Sequence, residues 1–125
     1  MATDSVIGEA DLDPVLRVEL LTRGSDCRLS LRGDLRDTTL AALEAQVDQL
    51  GCMPCHEVIV DLTFLTGMDG VGANVIVGLY YYVIARGGSF LVTGALQEVA
   101  ATLRGAGDGV IPIDVREVSV ADSLP

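Results

Sequence analysis

The side chains with the richest chemistry in this sequence are three cysteines and a single histidine. Cys52, Cys55 and His56 form a C-x-x-C-H motif, and Cys27 precedes it in the chain. Two cysteines at this spacing can cycle between a dithiol and a disulfide, and two thiolates with an imidazole can contribute ligands to a zinc site. The same motif marks sites of c-type haem attachment. The motif therefore raises thiol redox chemistry, metal binding and haem attachment as candidate chemistries.

The surroundings of the motif argue against haem and metal. Covalent haem attachment needs an exported chain, but residues 1–14 are acidic and polar and lack the apolar segment of a signal peptide. A structural zinc site usually has four ligands, and the motif offers at most three. A thioredoxin-like pair should open a helix, whereas Cys52 and Cys55 follow a predicted helix and precede a predicted strand. We therefore predict no metal and no cofactor.

Two interpretations of the cysteines stay open. In the simpler one, Cys52 and Cys55 are solvent-accessible thiols without a role. In the other, they take part in redox sensing, and Cys27 is a further candidate because parallel strands place it at the same end of the predicted sheet as Cys55. Three disulfides are then possible: Cys27–Cys55, Cys27–Cys52 and Cys52–Cys55. A reducing cytosol normally keeps such cysteines reduced.

A second candidate site is the polar, glycine-containing turn TFLTGMDG. Asp69 precedes a helix that we expect to open at Gly70, so its carboxylate can accept hydrogen bonds from the free amides of the first turn. Gly70 and Gly72 leave those amides uncovered, so an anion could approach them. Thr63 and Thr66 are the nearest hydroxyl groups. The turn therefore combines an anchoring carboxylate with an open surface.

The sequence offers no arrangement suited to catalysis. His56 is the only histidine, and no nucleophile or carboxylate is placed to complete a triad with it. Residues 67–72 lack the lysine and the serine or threonine of a phosphate-binding loop, and they also lack G-x-G-x-x-G spacing. We therefore predict that the protein is not an enzyme.

The polar turn lies inside a predicted strand–helix–strand unit. Residues 58–62 form a mostly β-branched run, which is typical of a buried strand, and we expect this strand to end at Asp61. Gly87 and Gly88 should stop the helix, and a second strand begins at Ser89. The carboxyl ends of such strands are where open α/β sheets usually carry their sites. The predicted helix carries an apolar stripe at helical spacing: Val71, Val75, Ile76, Leu79, Tyr82 and Val83.

The residues of this unit resemble the core of the STAS domain, the small fold of bacterial anti-sigma factor antagonists. The family pattern is an apolar strand ending in Asp or Asn, a hydrophobic turn, Asp-Ser-Ser-Gly at a helix start, and a Gly-Gly pair before the next strand. The positions that match this pattern are Asp61, Leu62, Leu65, Met68, Asp69, Gly72, Val75, Ile76, Gly87 and Gly88. The two serine positions are Gly70 and Val71 in this chain, so the family's phosphoacceptor is replaced.

The resemblance implies a regulator that binds proteins, namely an anti-sigma factor antagonist or a relative whose partner is an anti-sigma factor of the serine-kinase type. With Gly70 and Val71 at the usual position, Thr63 and Thr66 are the candidate substitutes for the phosphoacceptor. Two alternatives remain: an accessory STAS subunit of a transporter or signalling assembly, and a small redox or metal sensor. The partner-binding residues implied are Thr66, Met68, Asp69, Gly70, Val71 and Gly72.

The rest of the chain completes an α/β domain over residues 15–125, after an acidic leader at 1–14 that we expect to be flexible. We predict strands at 15–21 and 27–31 joined as a hairpin, a helix capped by Asp37 or Thr38, a helix at 96–104, a strand at 110–113 and a short final helix. The result is a STAS-like mixed sheet of four to five strands with helices mainly on one face.

The net charge of the chain limits the classes of partner that it can bind. Eight arginines, no lysine and eighteen acidic residues give a net charge of −10, which opposes binding to nucleic acid or to anionic membranes. No apolar run is long enough to cross a bilayer. We therefore expect a cytoplasmic protein whose partners are other proteins, and a homodimer is one possible assembly.

Overall fold

The computed structural model of the chain describes residues 16–115. The leader predicted at residues 1–14 and most of the predicted final helix lie outside the described residues. Within these residues, five strands and three helices follow one another as β1 Arg17–Arg23, β2 Asp26–Leu35, α1 Leu40–Gly51, β3 Glu57–Met68, α2 Gly70–Ala85, β4 Ser89–Ala95, α3 Gln97–Gly107 and β5 Ile113–Val115.

The five strands form one mixed sheet in the order β1-β2-β3-β4-β5. Strands β1 and β2 are antiparallel, as a hairpin requires, and each later neighbour pairs in parallel across an intervening helix. The tight turn between β1 and β2 contains Gly24 at φ 63°, a left-handed conformation that glycine adopts without strain. The predicted α/β class and the mixed sheet are confirmed.

One face of the sheet forms the core with all three helices. Along β2 the side chains of Cys27, Leu29 and Leu31 are buried, whereas the alternating residues Arg28 and Arg32 are exposed and Ser30 is half-buried. This alternation follows from the two-residue period of a strand. The helices contribute fully or nearly fully buried side chains to the same core: Leu43, Leu50, Ile76, Leu79, Val83, Val99 and Leu103.

Strand β3 is much longer than the sequence suggested. We expected Asp61 to end the strand and a turn to follow, but β3 continues without a break to Met68. The reason is long-range pairing: β2 runs alongside through two register shifts until Leu35 pairs with Met68. Leu62 and Leu65 are fully buried in this extension, so packing overrides the local preference of a glycine-containing segment for a turn.

Helix α1 begins later than predicted. Neither Asp37 nor Thr38 caps it; the preceding residue is Thr39, whose hydroxyl makes no capping hydrogen bond to the helix. That hydroxyl instead donates to the Asp34 carbonyl at 2.8 Å and accepts from the Arg36 amide at 3.0 Å. The Thr39 side chain thus stabilises the loop between β2 and α1.

The last elements are displaced along the chain from their predicted positions. Helix α3 continues to Gly107 and ends where Asp108 adopts a left-handed conformation at φ 58°. The final strand is Ile113–Val115 and not 110–113, so Asp114 lies in a strand and not at a helix start. No helix within residues 16–115 is long and apolar enough to span a membrane.

Candidate functional site

The candidate site lies at the carboxyl end of β3, where Asp69 connects the strand to α2. One carboxylate oxygen of Asp69 accepts the Gly72 amide at 2.9 Å, and the other accepts the Asp37 amide at 3.0 Å. The Asp69 amide donates to the Leu35 carbonyl at 3.0 Å. The predicted capping role is therefore confirmed, and the same side chain also fixes the loop after β2, a contact that local sequence does not indicate.

The carboxylate of Asp69 is held in its charged form by its surroundings. The hydrogen bond from the Gly72 amide lowers the pKa of Asp69 most, slight burial raises it, and the Asp37 amide and the Arg36 guanidinium lower it further. The net effect is a pKa below the ordinary value. The Asp69 carboxylate already accepts the Gly72 amide, and its negative charge at the helix start opposes the approach of another anion.

Removing the Asp69 carboxylate should weaken the fold in a pH-dependent way. We expect Asp69→Ala to lower the free energy of unfolding by about 1 kcal/mol at pH 7, as loss of a helix cap usually does. The folded-state pKa is depressed, so the wild-type carboxylate stabilises at neutral pH and loses this effect as pH falls below about 4. Urea denaturation of both proteins from pH 7 to pH 3 should therefore show a difference that shrinks with acid. A difference independent of pH would contradict the role of the charge.

Gly72 is part of the packing and not of the exposed surface. It is buried, and a Cβ added there would lie 2.5 Å from Leu35 Cγ and 2.9 Å from Leu35 Cδ2. The residue that approaches Gly72 is thus Leu35 of the same chain. The implied role of Gly72 as a partner-binding residue is not supported by its position.

The exposed part of the site consists of Thr66, Gly70 and Val71. The Val71 side chain is 46% exposed, and a Cβ at Gly70 would meet no atom of residues 16–115 within 4 Å. Asn74, one turn further along α2, is exposed as well, although sequence reasoning did not single it out. Met68 is half-buried and packs against the core. We name the exposed set Thr66, Gly70, Val71 and Asn74 the helix-start surface.

Neither candidate hydroxyl points freely into solvent. The Thr63 hydroxyl donates to Asp61 Oδ1 at 2.6 Å, and this half-buried side chain lies against Gly94 of the neighbouring strand. Partial burial raises the pKa of Asp61, but the hydrogen bonds from Thr63 and from Arg28 outweigh it and leave that pKa lowered. The Thr66 hydroxyl donates to the Gly33 carbonyl at 2.8 Å. Both hydroxyls are therefore engaged within the chain.

The expectation that Cys52 and Cys55 are both accessible to solvent is met by Cys52 and not by Cys55. Cys27 and Cys55 form a disulfide with a Cα–Cα distance of 5.8 Å, and both residues are buried. Cys52 alone is exposed and free. The topology explains this pairing, because Cys27 and Val58 are register partners and bring the start of β2 beside the segment that leads into β3. Among residues 16–115, no group of three potential ligand side chains could hold a metal ion.

Comparisons with known proteins agree with this geometry. A family model described as "Mlab, STAS domain" matches residues 18–113. An anti-sigma factor antagonist from Mycobacterium paratuberculosis has a similar structure, with a TM-score of 0.71 and 16% identity over 87% of this chain and 91% of that chain. No curated protein matches the chain.

Two further solved structures share the fold. The unphosphorylated form of the anti-sigma factor antagonist SpoIIAA, a Bacillus protein, gives a TM-score of 0.64 and 16% identity over 84% of this chain and 92% of that chain. RsbS from Moorella thermoacetica gives a TM-score of 0.64 and 18% identity over 86% of this chain and 94% of that chain. At these identities the likeness describes the architecture alone.

Proposed function

Because this chain belongs to the STAS domain family, we propose that it is a protein-binding regulator of the anti-sigma factor antagonist type. In this proposal it binds an anti-sigma factor of the serine-kinase kind in the cytoplasm, and it turns over no substrate. The observation that carries the proposal is the helix-start surface. Asp69 fixes the start of α2 rigidly, while Gly70 and Val71 beside it remain open to solvent.

The chemistry of the helix-start surface suits contact with another protein. Gly70 adds no side chain, so the backbone of a partner can approach the first turn of α2 closely. Val71 offers an exposed apolar side chain, and Asn74 offers an amide that can both donate and accept hydrogen bonds. A small apolar centre beside polar groups is the usual composition of such interfaces.

We further propose that binding at this surface is not switched by phosphorylation at the usual family position. Gly70 and Val71 carry no hydroxyl group there. Both Thr63 and Thr66 donate their hydroxyls to oxygens of the same chain, and Thr63 is partly buried. A kinase would have to break these contacts before transfer.

Incubation with an anti-sigma kinase and ATP should therefore leave the chain unmodified. We expect no stoichiometric phosphate on any residue of the helix-start surface, because its only hydroxyl, that of Thr66, donates to the Gly33 carbonyl. Intact-mass spectrometry followed by peptide mapping checks this. A variant with Val71→Ser serves as the matched control, since it provides an exposed hydroxyl on the same surface. Stoichiometric phosphate on Thr63 or Thr66 of the wild type would show that the acceptor had moved.

A second candidate function is that of an accessory STAS subunit in a transporter assembly. The observation in its favour is the description of the matching family model, which names Mlab and not an antagonist. Co-purification of the tagged chain from its native host separates the two candidates. A histidine-kinase-like ATPase as stoichiometric partner would support the antagonist, whereas a transporter ATPase would support the accessory subunit.

A further inference from the structure

One loop brings together a free thiol and a buried disulfide. We name residues 52–56, which connect α1 to β3, the cysteine loop. Cys55 in this loop is bonded to Cys27 of β2, and the two residues are only 7% and 3% exposed. Cys52 in the same loop is exposed and free. An accessible thiol thus lies three residues from a disulfide sulfur that solvent hardly reaches.

The cysteine loop is fixed at its two ends. Its first two amides donate to carbonyls in the last turn of α1, and the His56 amide donates to the Ser25 carbonyl at 2.7 Å. Between these anchors, no backbone–backbone hydrogen bond joins Pro54 or Cys55 to another part of the described chain. The middle of the loop can therefore change conformation without loss of backbone hydrogen bonds.

We propose that the cysteine loop is a thiol–disulfide exchange site, in which Cys52 opens the buried disulfide and makes it available to an external dithiol. The Cys52 thiolate attacks Cys55 Sγ and forms a new S–S bond. The bond between Cys55 and Cys27 breaks, and its electron pair stays on Cys27 Sγ, which takes up the proton that Cys52 had released. One disulfide replaces another, so this step needs no oxidant or reductant.

The exchange moves the disulfide from the core to an exposed loop. An external thiolate must reach a disulfide sulfur to react, and the burial of Cys27 and Cys55 hinders this. A Cys52–Cys55 disulfide includes an exposed residue and is open to attack. The external dithiol then transfers two electrons and two protons to Cys52 and Cys55 and leaves as its own disulfide. The substrate class is a dithiol, either a small molecule or a protein.

The arginine positions provide a direct assay of the exchange. Because the chain has no lysine, trypsin releases Cys27 in residues 24–28 and both Cys52 and Cys55 in residues 37–86. A Cys27–Cys55 disulfide joins these two peptides, whereas a Cys52–Cys55 disulfide does not. Native protein is treated with dilute dithiothreitol, quenched with acid at intervals, alkylated and mapped by mass spectrometry.

We expect the link between the two peptides to disappear at least about tenfold faster in the wild type than in Cys52→Ser, because a tethered thiol acts at a high effective concentration. Gln49→Ser, an exposed change on the last turn of α1, should react like the wild type. Equal free energies of unfolding for the three proteins would exclude global unfolding as the cause of the difference.

A second variant tests whether Cys52 can reach Cys55 at all. In Cys27→Ser, oxidised glutathione should generate a disulfide within the peptide of residues 37–86. Equal rates of reduction in the wild type and Cys52→Ser would overturn the proposal. A Cys27→Ser protein that stays without this disulfide would overturn it as well.

Discussion

Gly72→Ala should lower the free energy of unfolding by about 2 kcal/mol. The added Cβ would lie 2.5 Å from Leu35 Cγ, closer than a normal van der Waals contact, and Leu35 is fully buried and cannot move aside freely. Overfilling a packed core costs about 1–3 kcal/mol, while alanine recovers up to about 1 kcal/mol of helix propensity. The clash outweighs the gain. Urea denaturation measures the difference.

Gly70→Ala is the matched control for this prediction. Gly70 belongs to the same helix, but a Cβ there would meet no described atom within 4 Å, so the variant should be as stable as the wild type or slightly more stable. A double-mutant cycle with Leu35→Ala should show strong coupling, because truncating Leu35 removes the atoms that the new Cβ meets. Equal stability of Gly72→Ala and Gly70→Ala would contradict the close approach of Leu35.

Reduction of the Cys27–Cys55 disulfide should lower the free energy of unfolding by about 3.5 kcal/mol. The two cysteines are 28 positions apart, and closing a loop of this length reduces the entropy of the unfolded chain by roughly that amount. The effect is a large share of the stability of a domain this size, which is about 5–15 kcal/mol. Guanidinium denaturation with and without a reducing agent checks it.

Cys52→Ser is the control for the second prediction. Cys52 is exposed and carries no disulfide, so the variant should lose the same amount on reduction as the wild type. In Cys27→Ala the reducing agent should change stability little, because the link is already absent. A wild type that loses less than about 1 kcal/mol on reduction would show that the disulfide does not constrain the unfolded chain.

Local sequence predicts those parts of the fold whose causes are local. The alternation of Cys27, Leu29 and Leu31 with polar residues predicted the buried face of β2, and it is confirmed. The Asp69 cap is confirmed for the same reason, because its partner amide at Gly72 is only three residues away. The glycine pair after α2 likewise marked the end of that helix, which the structure places at Ala85.

The parts that the sequence did not predict depend on distant residues. Strand β3 continues past Asp61 because β2 extends beside it, and nothing within residues 61–68 indicates that partner. Gly72 was assigned to a partner surface, but Leu35 of the same chain fills that space. The sequence allowed three different cysteine pairs. Only the register of β2 with β3 selects Cys27–Cys55.

The two glycines of the helix start therefore have different roles. Gly72 is required because Leu35 occupies the position of its missing side chain, whereas no neighbour among residues 16–115 requires a glycine at position 70. A glycine that no neighbouring side chain requires is consistent with a surface at which the backbone of a partner approaches. For this reason Gly70, and not Gly72, is the position at which binding can be tested without damage to the fold.

The central proposal is tested most directly by calorimetric titration of the kinase-type anti-sigma factor with two arginine variants. Gly70→Arg places a long charged side chain on the helix-start surface. Gly105→Arg makes the same change in α3, where a Cβ also meets no atom in the described part of the chain within 4 Å. Because α3 leads from β4 to its parallel neighbour β5, the end of this helix lies away from the carboxyl ends of the strands. Both variants should remain folded and carry the same charge.

We expect Gly70→Arg to weaken binding by more than about tenfold, which corresponds to more than about 1.4 kcal/mol, while Gly105→Arg binds like the wild type. The physical reason is that an arginine side chain does not fit at the point where the partner approaches the backbone of α2. A folded Gly70→Arg protein that binds as tightly as Gly105→Arg would place the interface elsewhere and contradict the proposed role of the helix-start surface.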